Sequence, residues 1–369
     1  MGKTVGIVTC HTPLNYGAML QAYGLQKYLI SQGYEPEIIN YAPDIYFEEL
    51  SLLYIGDNKW QKNVILKFIY IISKFPSRIK RFFNFKKFRD NYLRINHHRY
   101  LSYEELIQDC PIYDEYICGS DQIWNTRGLR GWNPTFYLCF VKDKDKRHSY
   151  AASMSLDIPI SQDVINRVFP MINDLKDVAV RERQTINEIQ PYITSHVIAT
   201  LDPVYLLSQR EWGILADSSR NENKDFILIY PMGDMHHVLD NAKKLSNETK
   251  LPIYCISASS RKIPGVAKRF DCSIPKFVNL FREAKYVITN SFHGTSFSII
   301  FRKNFWSCEV SNNNHRITDL LKRFNLSSRY VPINEKLNCN ILNIDYTQSE
   351  QMIETEINLS KKYLGTILR

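Results

Sequence analysis

Residues Ala284–Phe305, AKYVITNSFHGTSFSIIFRKNF, decide how this chain is read. Tyr286–Thr289 is a short β-branched and aromatic run, Asn290 and Ser291 interrupt it, and Thr295–Phe301 resumes with apolar residues at helical spacing. The stretch therefore reads as a buried strand turning into a helix. At such a junction the first backbone N–H groups of the helix point outward with partial positive charge, which suits a phosphate or carboxylate. His293 stands at that mouth, with Ser291, Gly294, Thr295 and Ser296 supplying small side chains and hydroxyls around it. An imidazole beside an anion cradle fits proton transfer on a phosphorylated substrate. A helix cap beside a satisfied histidine fits this segment equally well.

The same alternation extends in both directions. Thr4–Cys10 reads as a strand, His11–Gly17 as a loop, Ala18–Gln32 as an amphipathic helix and Glu37–Tyr41 as the next strand, a Rossmann-type opening with its loop at the ligand-binding edge. The glycine pattern of a dinucleotide site is absent, since only Gly17 stands there. Asn15, Tyr16 and Gly17 are open either to ligand binding or to a turn that needs Asn and Gly. Strand–helix alternation continues through Tyr113–Cys118, Arg147–Met154, Val178–Arg181 and Val197–Thr200, pauses at the polar run Asp217–Asp225, and restarts at Phe226–Tyr230. The expected organisation is a first domain over 1–215 with a basic helical insertion at 59–99, a second over 225–340 carrying the histidine motif, and a terminal helix over 341–369 packing back on the first. At 369 residues the chain is too long for one ordinary core. The fold class is α/β, two doubly wound units facing a central cleft.

The formal charge of +9 is local. Lys59–Arg99 holds 12 Lys/Arg against Asp90 alone and contributes +11, so the remaining residues carry −2. Trp60, Val64, Phe68, Ile71, Ile72 and Phe75 form an apolar stripe there; Pro76 is expected to end that helix, and a second to run to about Tyr92. Aromatics interleave with the basic residues. That suits an interfacial helix pair on anionic lipid, or an outer hairpin with a solvated face; a nucleic-acid partner is not expected. The N-terminus MGKTVGIVTCHT enters a strand without a signal pattern, and the longest apolar run, Val64–Ile72, is broken by Lys67. The expected location is cytoplasmic, at most peripheral to the inner face of the membrane. Eight scattered cysteines without a C-x-x-C pair read as buried small hydrophobes, arguing against a disulfide framework or zinc site.

Other residues invite chemistry. Arg181 follows the buried run Val178–Val180 and is expected to emerge at the ligand edge, where guanidinium matches carboxylate or phosphate in a two-pronged contact; pairing with Glu182 or another acid is the structural alternative. Asp121 and Asn125 lie in the loop GSDQIWN, where the aspartate suits sugar hydroxyls, base chemistry or a helix cap. Asp202-Pro203 reads as a strand-end turn. The pairs His97-His98 and His236-His237 lack metal-ligand spacing, and no metal site is expected.

Taken together, NYGAMLQAYGLQKYL at 15–29, ICGSDQIWN at 117–125, YAASMS at 150–155, VAVRERQT at 178–185, LDPVYLL at 201–207, ITNSFHGTSFSIIF at 288–301 and HRITDLLKRFNLSSRY at 315–330 resemble the polysaccharide pyruvyl transferase family. Ser155 stands where that family usually has glycine, and the 59–99 insertion is not a shared motif. The resemblance implies two Rossmann-like domains of GT-B-like type and phosphoenolpyruvate as co-substrate, with no further cofactor. The product would be a pyruvate ketal on a sugar of a surface or capsular polysaccharide precursor, the acceptor being lipid-linked or polymeric. His293 would be the general acid/base. Arg181, Asn15, Tyr16, Gly17, Ser120, Asp121, Ser291, Gly294, Thr295 and Arg316 would bind substrate. The rival reading on the same fold is a glycosyltransferase with a nucleotide-sugar donor, which would need a pocket for base and ribose that no residue pattern marks.

Overall fold

The computed structural model describes residues 2–46, 64–154, 159–216, 225–258, 262–310, 315–339 and 342–369, with backbone alone over 64–76. Side chains of the Trp60–Phe75 stripe, Ser155 and the polar run over 217–224 lie outside the described residues. The chain divides into two compact units, one of Met1–Ser51, Phe88–Leu207 and Thr355–Arg369, the other of Leu52–Lys87 and Ser208–Glu354. The division thus falls ahead of the 215–225 boundary expected from sequence. The insertion, expected within the first domain, groups with the second unit as far as Lys87.

Eleven α-helices are formed among the described residues: α1 Tyr16–Ser31, α2 Val64–Tyr92, α3 Tyr103–Gln108, α4 Phe169–Asn173, α5 Arg183–Ile189, α6 Gln209–Leu215, α7 His236–Thr249, α8 Ile274–Glu283, α9 Phe292–Ile300, α10 His315–Arg323 and α11 Thr347–Ile367. In the first unit, β1 Thr4–Val8, β2 Glu35–Ile38, β3 Glu115–Cys118 and β4 Arg147–Ser149 form a parallel sheet in the order β2-β1-β3-β4. Bridges His148↔Asp177 and Ala152↔Val180 carry that order on to the parallel pair β5 Val178–Val180 and β6 Val197–Ala199. The second unit holds β7 Ile227–Tyr230, β8 Ile253–Ile256, β9 Lys268–Phe270, β10 Tyr286–Thr289, β11 Asn304–Cys308 and β12 Tyr330–Val331 in the parallel order β12-β11-β10-β7-β8-β9. The central strands β7, β8 and β10 are buried along their whole length, as strands covered on both faces must be. Each order reverses beside the unit's first strand, between β1 and β3 in one and between β7 and β10 in the other. Loops leaving the carboxyl ends of strands at such a reversal diverge and open a crevice.

Helix α2 corrects one expectation. It runs through Pro76 without ending, because a proline inside a helix removes one backbone hydrogen bond and favours a kink, a loss that a long helix tolerates. The residues of α11 from Thr355 onward group with the first unit. There Ser360 Oγ accepts the Leu201 N–H at 2.8 Å and the Tyr363 hydroxyl donates to the Ser149 carbonyl at 2.8 Å.

Helix α1 is buried along most of its length because the 3₁₀ turn Pro203–Leu206 packs across it, and Gly24 marks the closest approach. A Cβ at Gly24 would stand 2.7 Å from the Pro203 carbonyl oxygen and 3.1 Å from its carbon, both backbone atoms that cannot swing aside. Gly24→Ala should therefore destabilise the fold by about 1–3 kcal/mol, although alanine is the better helix former by about 1 kcal/mol. Urea unfolding reads the sign, and a more stable variant would contradict this contact.

Candidate functional site

In the second unit the histidine motif lies at the strand-order reversal. Thr289, the last residue of β10, donates its hydroxyl to the Tyr230 carbonyl at the end of β7 (2.6 Å) and accepts the Ser291 N–H (3.0 Å). Asn290 then pins the loop after β7: its Oδ1 accepts the Met232 N–H at 2.6 Å, and its Nδ2 donates to the carbonyls of Met232 and Asp234 at 3.0 and 3.2 Å. Ser291 caps α9, its Oγ accepting the Gly294 N–H at 3.3 Å. Gly294 lets the helix start this close to the strand, for a Cβ there would meet Thr289 Oγ1 at 2.5 Å. His293 is the second residue of the helix, 8 % exposed where Thr295, Ser296 and Ser298 are sealed, with its ring edge-on to Phe292 at 5.3 Å.

The hydroxyls further along α9 point back into the fold. Thr295 Oγ1 donates to the Ser291 carbonyl at 3.1 Å and meets Ser307 Oγ at 2.8 Å; Ser296 and Ser298 bond the carbonyls of Phe292 and Gly294. This corrects the expectation that Thr295 and Gly294 contact ligand. Thr295 is a buried pin between α9 and β11, and the Gly294 amide is taken by the cap. Sequence reading marked small hydroxyl residues without distinguishing those that turn inward, and Ser/Thr in a helix commonly bond their own backbone. Helix α10 starts beyond β11, the neighbour of β10, and packs on α9; Arg316, half-buried, is its second residue. Two helices thus follow the adjacent strands β10 and β11, and helix starts at the carboxyl ends of strands favour anions.

In the first unit the loops after β1 and β3 flank the corresponding reversal. Asn15 is the N-cap of α1, its Oδ1 accepting the Ala18 N–H at 3.2 Å. Tyr16 and Gly17 are buried in the first turn of that helix, not in a ligand-facing loop. Ser120 is fully buried, donating to the Ala151 carbonyl at 2.6 Å while its N–H is held by Gln21, which also reaches Thr9. Asp121 differs. Its φ of +65° turns its carbonyl to accept the N–H groups of Ile123 and Ser153 at 2.9 Å, and its half-buried carboxylate accepts no hydrogen bond among the described residues. No helix follows, so it caps nothing. Asn125 braces the loop by accepting the Arg127 N–H.

Arg181 is the largest correction. It is 2 % exposed, with Nε on Glu182 Oε1 at 2.8 Å, Nη1 on Asp202 Oδ2 at 3.0 Å and Nη2 on Ser153 Oγ at 2.9 Å. Burial alone would lower its pKa, and the carboxylates of Glu182, Asp202 and Asp121 more than offset this, holding it above the usual value. A buried guanidinium with two carboxylates is not a two-pronged donor turned toward solvent. Asp202, read from sequence as a turn residue, both caps the turn through the Val204 N–H and anchors this cluster.

Among the other histidines, His11 and His148 are buried and held by the fold. His11, at the end of β1, lies within 3.2 Å of both the Thr9 carbonyl and Asn40 Oδ1, and burial, with Arg89 nearby, pushes its pKa down to about 4. His148, unremarked in the sequence, is buried between Asp177 (2.9 Å) and Glu115 (3.0 Å) at the amino-terminal ends of β3 and β5. His97, His98 and His236 are exposed. Burial raises the thiols of Cys10, Cys255 and Cys308 to about 12, which keeps them protonated and unreactive. Among the described residues no cluster of three His, Cys, Asp or Glu is placed to hold a metal ion.

Among solved structures the chain is similar to UDP-N-acetylglucosamine 2-epimerase from Rickettsia bellii, at 10 % identity and TM-score 0.50 over 100 % of this chain and 96 % of that one. It is similar also to S. aureus MnaA in its co-structure with UDP, at 12 % identity and TM-score 0.51 over 99 % and 97 %. Likeness at this identity is one of fold alone, and the fold is GT-B. No curated protein sequence matches the chain significantly. The sequence model of one family, polysaccharide pyruvyl transferase, matches residues 15–312, most of the chain, and the protein belongs to that family.

Proposed function

We propose that this transferase of polysaccharide biosynthesis moves the pyruvyl group of phosphoenolpyruvate onto two hydroxyls of one sugar, forming a pyruvate ketal and releasing phosphate. The observation that carries the reading is His293 in the first turn of a capped helix, at the strand-order reversal of the second unit, on a helix packed against α10, whose second residue is Arg316. The donor carries a phosphate and a carboxylate, and the helix starts of α9 and α10 with Arg316 are the groups suited to them.

The chemistry balances as follows. A proton adds to the enol methylene carbon and leaves an oxocarbenium-like centre at the carbon bearing carboxylate and phosphate. One sugar hydroxyl attacks that carbon and loses its proton. The carbon–oxygen bond to phosphate then breaks, and the second hydroxyl closes the ring, its proton leaving with the phosphate. His293 delivers the first proton and receives one from an attacking hydroxyl, a cycle for which imidazole is suited near neutral pH. Within the first unit, the half-buried Asp121 carboxylate accepts no hydrogen bond among the described residues and suits hydroxyl groups. Arg181 is a positioning residue here: with Glu182 and Asp202 it holds Ser153 and Ser120, whose backbones frame the Asp121 loop.

His293→Ala should lower turnover by about 10²–10⁴ with an unchanged melting curve, read as phosphate release from phosphoenolpyruvate with galactose- and N-acetylmannosamine-containing acceptors; near-wild-type turnover would remove the residue from the reaction. Phosphoenolpyruvate, and not a sugar nucleotide, should raise the melting temperature, whereas stabilisation by the nucleotide alone would favour the glycosyltransferase reading. Arg181→Ala should cost about 3–5 kcal/mol of stability, because it strands two buried carboxylates. Unchanged denaturant stability with weakened donor binding would instead make Arg181 a direct ligand of the donor.

A further inference from the structure

Helix α2 carries charge and aromatic surface for which pyruvyl transfer has no use. Its rotation about its own axis is set by one face: Arg81 pairs with Asp271 at 3.3 Å and lies over the Phe85 ring at 5.1 Å, and Phe85 is fully buried. Farther along, Phe88 is buried and stacks on Tyr92 at 4.9 Å. With that face committed, the opposite arc is turned outward by helical geometry, and it holds Lys80, Phe82, Phe83, Lys86, Lys87 and Asp90. Phe83 is 60 % exposed and Phe82 38 %, their rings meeting edge-to-face at 5.7 Å. Two phenyl rings held at the surface between three lysines are costly in water, because each leaves apolar area uncovered. On edge strand β9, Lys268 and Arg269 are also exposed, just before Asp271, the partner of Arg81.

We infer that the Lys80–Lys87 face of α2 is a seat for an anionic lipid bilayer surface, with Phe82 and Phe83 entering the interface and Lys80, Lys86 and Lys87 meeting acidic headgroups. The occupant is argued from complementarity. A purely acidic protein surface, or a nucleic-acid duplex with its bases stacked inside, would account for the lysines and leave the phenyls wet. A neutral apolar partner would account for the phenyls and strand the lysines. An anionic interface accepts both, and at moderate salt it attracts the charges over about 10 Å. Among the described residues no helix is long and apolar enough to cross a membrane, so the contact is one of lying on the surface. This inference does not rest on the chemistry proposed for His293.

Flotation of the full chain with vesicles of phosphatidylcholine containing about a third phosphatidylglycerol, against pure phosphatidylcholine, tests it. The wild type should float with the acidic vesicles at 0.1 M salt, remain behind with the neutral ones, and be released at high salt. The triple variant Lys80→Ser, Lys86→Ser, Lys87→Ser should partition about 10²-fold less, each lysine being worth about fivefold. Phe82→Ser with Phe83→Ser should weaken binding at least tenfold, and the lysine variant, whose side chains are exposed, should melt like the wild type. Absence of flotation, equal flotation with neutral vesicles, or lysine or phenylalanine variants that bind unchanged would each overturn the inference. So would tighter binding to a DNA duplex at the same ionic strength, which would make the face one for nucleic acid.

Discussion

Much of the second unit turns on how closely helix α9 can approach the end of strand β10. Thr289 spends its hydroxyl on both neighbours, donating to the end of β7 and accepting the amide of Ser291, and Gly294 leaves no side chain to push the helix away. Asn290 extends the same hold to the loop after β7. The helix therefore begins where the strand order reverses, and its second residue is a histidine. Any bulkier residue at 294 would shift the helix start, and with it His293, by enough to matter for the proposed proton transfer, which requires contact distance.

The two units treat charge in opposite ways. In the first, a cation is buried and surrounded by Glu182 and Asp202, with Asp121 near, so its charge is met within the fold. In the second, no acid is in the first turn of α9 or α10, and Arg316 adds a positive charge to the partial charges of two helix starts. The proposed anion contacts are accordingly those of the second unit, and Arg181 is reassigned from donor contact to scaffold. What a buried guanidinium contributes is position: removing it would leave carboxylates without partners, and the loop they support would lose its shape.

The alternation of apolar strands and helices was legible because parallel strands covered on both faces must be apolar throughout, as in Phe226–Tyr230 and Tyr286–Thr289. The strand-to-helix turn at His293 was legible for the same reason. Edge strand β9, Lys268-Arg269-Phe270, was not, since an exposed edge has no apolar pattern to read. The order of strands was hidden too, and with it the coincidence of the histidine with the reversal. Helix α2 passing through Pro76 could not be seen from local rules, which mark proline as a stop. Site residues divided along one line. His293 and Asp121 stand at the carboxyl ends of strands, where their type and place in the sequence put them, and their roles are proposals; Ser120, Thr295 and Arg181 turn into the fold, because the direction of a polar side chain depends on partners distant in sequence, such as Ala151, Ser307 and Asp202.

The proposed reaction adds one proton from the medium to the methylene carbon of the donor, a step that a glycosyl transfer lacks. Running it in deuterium oxide and recording the proton spectrum of the glycan product tests this most directly. The expected product has a ketal methyl group that carries one solvent-derived deuterium. A product without a pyruvyl methyl group, or one whose methyl group carries no solvent hydrogen, would contradict it.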